Sequence, residues 1–304
     1  MKKRIISGAV MTAVSILILV LGLKVQTQII TAFIAIVAAV GVVELVGNVA
    51  KIENVLFKLL SAIYTVIMTF LFNIITQNVY LLNTSADQSV YETQAMVAVV
   101  VTTVLYVIVC GVLSVIYIEQ FDLTKLATLC GVPLLCSFAF STISTIVVAT
   151  SVAPVTDIQM ATNIVVTPAK GIYYLLLVLN FSCICDIAAY FVGTNLGKTK
   201  LCPKVSPNKT VEGALGGMIA SLIVGVIITL CFGYFNKIIW VLIFSIPLCA
   251  AGMVGDLFAS VIKRKADLKD FSNLIPGHGG IMDRLDSMLF VAPLLYCLLL
   301  LGVI

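Results

Sequence analysis

Residues 96–118, MVAVVVTTVLYVIVCGVLSVIYI, run for 23 positions without a charged side chain. A helix crosses the hydrocarbon core of a bilayer in roughly 20 mostly apolar residues, so Met96–Ile118 is long enough for one crossing. Comparable runs occur at about Ile5–Leu23, Gln28–Gly47, Val55–Thr76, Leu126–Thr150, Ile172–Gly193, Gly213–Phe232, Lys237–Leu257 and Asp286–Val303. In lipid every backbone N–H and C=O must be satisfied internally, which leaves only helices or closed barrels. These runs are far too long for barrel strands. The sequence therefore predicts an all-α, polytopic transmembrane helical bundle of about nine spans.

Composition agrees. Of 304 residues, 61% are hydrophobic and 11% charged, and mean hydropathy is +1.18; an ordinary soluble domain carries about 25% charged residues. No soluble domain of ordinary size fits between the spans. Met1-Lys2-Lys3-Arg4 followed by an apolar run is the layout of a signal peptide. The run to Leu23 is longer than a usual signal core and lacks a small-x-small cleavage site, so a retained first span is expected. Of nine cysteines, Cys110, Cys130, Cys136, Cys183, Cys231, Cys249 and Cys297 sit in apolar runs as small packing residues. No CxxC pair suggests zinc, and nothing argues for an oxidising compartment.

Basic residues set the orientation, because short cytoplasmic loops collect Lys and Arg. With a cytoplasmic N-terminus, only Lys24, Lys170 and Lys237 of the 18 Lys and Arg fall on the outer side. Nine spans then leave the C-terminus outside. The outer segments 77–94 and 151–169 carry no Lys or Arg apart from the border of the second, and are expected to be short caps. The chain divides into N-terminal helices (1–95), middle helices (96–170) and a C-terminal catalytic region with cytoplasmic loops (171–304). Within it, Gly213, Gly217, Ser221 and Gly225 form a small-residue stripe, which suits either packing inside the bundle or a dimer face.

Polar residues gather in two cytoplasmic segments of the C-terminal region. The first begins at Asp186, an acid inside an apolar span, which should face the bundle interior or a wet cavity. Asp186, Tyr190 and Gly193 share a helical face. Helix packing through a hydrogen-bonded acid is the plainer alternative. The face leads into a basic loop with Lys198, Lys200, Lys204 and Lys209, two glycines and several hydroxyls, a mixture that suits phosphate. Gly193-Thr194-Asn195-Leu196-Gly197-Lys198-Thr199 falls one residue short of a P-loop and follows a membrane helix rather than a strand, so it is not one. Ser206-Pro207 and Lys209-Thr210-x-Glu212 read as a turn entering a helix.

The second segment runs from Asp256 to Asp286. Asp283 and Asp286 are spaced to share a helical face, and antiparallel neighbours can bring Asp256 towards Asp283. Mg²⁺ binds through one or two carboxylates, water and substrate phosphate, and Lys263, Arg264, Lys269 and Arg284 would neutralise further phosphate oxygens. Ion pairing with the nearby lysines is the alternative for these acids and for Asp270. Gly277, Gly279 and Gly280 permit close backbone approach or positive φ. His278, the single histidine, suits a hydrogen bond to phosphate better than general-base work. Glu44, near the cytoplasmic end of its span, is expected to pair with a base or to snorkel.

The stretch from Ser260 to Asp286, S-x-x-K-R-x-x-x-x-K-D-x-S-x-x-I-P-x-H-G-G-x-x-D-R-x-D, resembles the phosphatidate cytidylyltransferase family, also called CDP-diglyceride synthetases. The G-K-x-K-L and S-P-x-K-T-x-E-G elements between Asp186 and Gly213 are similar to that family too. The resemblance implies an enzyme, a nucleotidyltransferase of phospholipid biosynthesis that joins CTP and phosphatidic acid to give CDP-diacylglycerol and pyrophosphate. It implies a metal centre at Asp256 and Asp283, with Mg²⁺ and also K⁺, catalysis by those acids with Lys263, Arg264 and Lys269, and a homodimer formed through C-terminal helices. Asp186, Lys198, Lys200, Ser206, Lys209, Thr210, Glu212, Asp270, His278, Gly279, Gly280, Arg284 and Asp286 are then expected to bind substrate. The expected setting is the cell membrane, with membrane lipid as a partner, the site on the cytoplasmic face and no nucleic acid. A related lipid phosphate or a polyprenol is the alternative acceptor. A transporter would carry mid-membrane polar residues in several spans; here they gather at one face.

Overall fold

The structure is a computed structural model describing residues 13–18, 20, 28–81, 85–148 and 168–301. Most of the expected first span, Ile5–Leu23, lies outside the described residues. Among those described, seven helices are long and apolar enough to cross a membrane: Gln28–Val49, Val55–Thr76, Thr93–Ile116, Leu123–Val148, Lys170–Leu196, Val211–Cys231 and Phe235–Lys265. A chain built this way is an integral membrane protein with a helical, polytopic architecture. The last expected span, Asp286–Val303, is a shorter apolar helix, Met288–Leu300.

The chain forms two compact units, Met1–Gly171 with Asp270–Met282, and Ile172–Lys269 with Asp283–Ile304. Residues 1–95 and 96–170 thus fall together in the first. Its helices are α1 (Gln28–Glu44, continued by a π turn, Leu45–Val49), α2 (Val55–Leu81), α3 (Ser85–Ile116) and α4 (Leu123–Val148). The supposed outer cap 77–94 is mostly helix, belonging to the end of α2 and the start of α3. Its polar sequence contains neither Gly nor Pro, so helix extends into it from both sides. The other expected cap, 151–169, lies almost wholly outside the described residues.

Helix α1 packs on α2 and α4, and α2 also packs on α4 and α3. A buried polar seam joins them. Asn73 Nδ2 donates to Ser144 Oγ (3.2 Å), and Ser144 Oγ to Thr31 Oγ1 (3.0 Å). Tyr106 OH donates to Leu129 O (2.6 Å) beside Ser61 Oγ (3.1 Å). Apolar burial drives little association inside lipid, so such bonds and close packing hold helices together. The sequence shows these residues only as scattered Ser, Thr and Asn. Val97, Val100, Val104, Ile108 and Val112 of α3 are exposed, as suits a lipid-facing helix.

The second unit holds α5 (Pro168–Leu179, whose first residues belong to the first unit, continued by a π turn, Asn180–Ile184), α6 (Cys185–Leu196), α7 (Val211–Cys231), α8 (Ile238–Lys265) and α9 (Met288–Leu300). It also departs from the all-α expectation by one hairpin, β1 (Lys200–Cys202) and β2 (Ser206–Thr210), antiparallel, with Lys200 opposite Thr210 and Cys202 opposite Ser206. The small-residue stripe of α7 is buried within the chain. A Cβ on Gly213 would meet Ala189 O at 2.7 Å, and one on Gly217 would meet Cys185 O at 2.6 Å. Ser221 O accepts from Asn180 Nδ2 (2.8 Å). The stripe is therefore a packing seam, and the dimer-face alternative for it does not hold.

Candidate active site

Both π turns lie beside an acid. A π turn adds one residue to a helical turn and rotates the following side chains, and such turns recur at functional sites. Glu44 immediately precedes the first, and Asp186 follows the second within α6. Asp186 Oδ2 accepts from Ser287 Oγ (2.7 Å), a residue that no sequence motif singles out.

The hairpin is locked to the helix that follows it. Thr210 N-caps α7, its Oγ1 accepting from Gly213 N (3.1 Å). Glu212 in the first turn reaches back to accept from Lys198 N (3.0 Å), Thr199 N (3.1 Å) and Thr199 Oγ1 (2.8 Å). The expected turn into a helix is present, and the Glu212 carboxylate is committed to backbone. Thr210 also touches α6: a Cβ on Gly193 would lie 2.8 Å from Thr210 Oγ1. This contact brings the strand against α6 and leaves a cavity of about 620 Å³ between hairpin and helices, lined by Asp186, Tyr190, Lys200, Lys209 and Asp256 among others. Lys209 Nζ pairs with Asp256 Oδ2 at 2.5 Å. The shared face of Asp186, Tyr190 and Gly193 does line this cavity.

Helix α8 carries a second pair. Lys263 Nζ bonds Asp283 Oδ1 at 2.8 Å, and the Asp283 side chain is 2% exposed. Asp256 and Lys263 are seven positions apart, so they share a face of α8 about two turns, or roughly 10 Å, from one another. Asp286, in the turn before α9, is buried and accepts from Ser287 N (2.9 Å). Burial, and secondarily the Asp256 carboxylate, push the Asp286 carboxyl up to about 7. Helix α8 ends in a Schellman motif: Leu268 N donates to Lys263 O (2.8 Å), Asp267 N to Arg264 O (3.3 Å), and Asp267 has φ of 58°. Arg264 is exposed, with Nη1 3.5 Å from Leu268 O. Lys198, Lys269 and Arg284 are exposed, and Ser206 is half-buried on β2.

Among the described residues no three His, Cys, Asp or Glu side chains form a ready metal cage. The acids still fit a cation that takes few protein ligands. Asp186 and Asp256 line one cavity, and lysine ammoniums already sit on Asp256 and Asp283, where a hard cation would be attracted.

Asp270, His278, Gly279 and Gly280 belong to the first unit. There the glycine-rich turn is closed by Ile275 N to Gly279 O (2.8 Å) and His278 N to Ile275 O (2.9 Å), with φ of 80° at Gly277 and 82° at Gly279. Glu44 does not snorkel, and among the described residues it pairs with no base. It is 6% exposed and accepts from Ser272 Oγ (2.6 Å), Ile281 N (3.1 Å) and Met282 N (3.1 Å). The signal that pointed to it was an acid within an apolar run.

The family model described as "Cytidylyltransferase family" matches residues 2–301. A phosphatidate cytidylyltransferase of Bacillus subtilis (strain 168) is 50% identical over 114 residues, 38% of this chain and 42% of that protein. Proteins of the same name from Staphylococcus saprophyticus and Staphylococcus aureus (strain COL) are 46% and 44% identical over 135 residues, 44% of this chain and 52% of each relative. The matched stretches thus span about half the length of these relatives.

Proposed function

Because the chain belongs to the cytidylyltransferase family, we propose that it is a phosphatidate cytidylyltransferase, converting CTP and phosphatidic acid to CDP-diacylglycerol and pyrophosphate. The observation that carries this reading is the cavity where Lys200, Lys209, Asp186 and Asp256 converge. It pairs cationic groups for phosphates with carboxylates suited to a hard cation, and opens beside helices that can admit acyl chains from the bilayer. The relatives that bear this name, matched over about half their length, support it.

In the reaction, an oxygen of the phosphatidate phosphate attacks the α-phosphorus of CTP. The new P–O bond forms as the bond from the α-phosphorus to the bridging oxygen breaks, and pyrophosphate leaves with that electron pair. Such transfers depend on positioning and charge stabilisation more than on acid–base work. The phosphate monoester is largely ionised near neutral pH, so no strong base is needed, in keeping with His278 as a hydrogen-bond donor. Lys209 and Lys263 can leave their carboxylates for phosphate oxygens. Asp256 and Asp283 would hold Mg²⁺, with K⁺ as a companion ion, which offsets negative charge on the phosphates when bound. The face of the site is cytoplasmic in this reading, supported by the distribution of Lys and Arg, and the bacterial relatives suggest the cell membrane. A homodimer would use a surface other than the α7 stripe.

The test is direct. Purified protein is incubated with phosphatidic acid, labelled CTP and Mg²⁺, with chelated and Asp283→Asn samples alongside. Labelled CDP-diacylglycerol from wild type, lost in both controls, is the expected result. A folded wild type that makes none overturns the substrate pair, and product from Asp283→Asn overturns the site.

A further inference from the structure

We infer that Glu44 is a positioning residue for the glycine-rich segment 270–282, acting on the proposed reaction through that loop. Glu44 stands where α1 passes into its π turn, and every donor to its carboxylate comes from the loop, 228 to 238 residues away in sequence. Oε1 takes Ser272 Oγ and Ile281 N; Oε2 takes Met282 N. The two ends of the loop are thereby clamped to one side chain. Asn48, one turn further along, adds a bond from Nδ2 to Phe271 O (2.7 Å), and Phe271 is 2% exposed.

Gly280 is shaped by the same carboxylate. A Cβ there would lie 2.6 Å from Glu44 Oε2 and 2.9 Å from Ser272 Oγ. Glycine at this position is thus required by the acid beneath it, independently of any ligand. Between the clamped ends, His278 and Gly279 sit on a turn held by its own backbone bonds, so its conformation is set before a phosphate meets it. Met282, whose N–H makes the last bond of the clamp, directly precedes Asp283 in the chain.

The chemistry requires a carboxylate. Glutamine keeps the volume but offers one oxygen, and turns an N–H₂ group towards a backbone N–H that needs an acceptor. Aspartate keeps the charge and both oxygens but is one methylene short. Glu44→Gln should therefore be the worse variant, and Glu44→Asp should recover part of the effect.

The experiment compares wild type, Glu44→Gln and Glu44→Asp as full chains in detergent micelles. Hydrogen exchange in peptides covering 271–282 is read beside kcat and KM for CTP in the cytidylyl-transfer assay. In Glu44→Gln, exchange in the loop should rise about tenfold while the transmembrane helices keep wild-type protection. Its kcat/KM should fall about tenfold, and Glu44→Asp should lie between. Unchanged loop exchange, an equal rise along the whole chain, or a mobile loop with unchanged kcat/KM would each overturn the inference. This activity arm rests on the proposed function. Should wild type transfer no cytidylyl group, that reading fails, and loop exchange alone decides whether Glu44 clamps the segment.

Discussion

Asp256 and Asp283, in the second unit, each face a lysine ammonium, at 2.5 and 2.8 Å. Glu44, in the first, faces two backbone N–H groups and a hydroxyl, and among the described residues it has no basic partner. An ammonium on a flexible stem can swing away and be replaced by another cation, and the lysine is then free for phosphate. A carboxylate bonded to main chain has no such exchange open to it, because breaking its bonds would leave buried N–H groups unmet. The first arrangement suits chemistry and the second suits fixing a backbone. An acid's partners, more than its burial, separate the two roles.

The largest effect expected from breaking this contrast is at the lysine-paired acids. Asp256→Asn and Asp283→Asn should each lower kcat/KM by at least about a hundredfold, the scale of losing a preorganised electrostatic contact in a transition state; steady-state labelling of CDP-diacylglycerol checks it. Glu44→Gln follows at the smaller loss described above. The Lys209→Ala variant should lose about tenfold, mainly through a higher KM for CTP, since it removes a phosphate contact without removing an acid. Salt sharpens the comparison further. Raising ionic strength from about 0.05 to about 0.5 M should weaken CTP binding at the lysine-rich cavity, because screening shortens to a few ångströms, and leave exchange in segment 271–282 unchanged. Away from both sets of acids, Gly217→Val should destabilise the second unit by about 1–3 kcal/mol through overpacking, since even a Cβ would meet Cys185 O at 2.6 Å; thermal unfolding in detergent measures it. The smallest effect on stability is at Arg264, exposed beyond the paired lysine. Its alanine variant should stay within about 0.5 kcal/mol of wild type.

Much of this was legible because membrane helices and phosphate chemistry both leave strong marks in sequence. The long apolar runs predict the apolar parts of seven of the helices, though α3 begins well before Met96 and α8 runs well past Leu257, and the Asp186–Tyr190–Gly193 face does open on the cavity. The misses have physical causes. Segment 77–94 reads as a cap from its polarity, but polarity without Gly or Pro lets helix run into it from both sides, to Leu81 and from Ser85. The hairpin is too short to show an alternating pattern. The α7 stripe has two equally good uses, and which one applies depends on what packs against it. Glu44 was misjudged because its partners lie more than two hundred residues away, and no local pattern reports a partner at that distance. The same holds for Ser287 against Asp186.

The clamp on Glu44 also sets an order of events during biosynthesis. Ribosomes extend chains at about 5–20 residues per second, so the 228 to 238 residues that separate Glu44 from its donors correspond to about 10–50 s of synthesis. For that time the first unit exists without the segment that completes it, and the Glu44 carboxylate must be served by water or by an assisting protein. A chain halted before Met282 would leave the Glu44 carboxylate without the Met282 N–H that it holds in the complete fold.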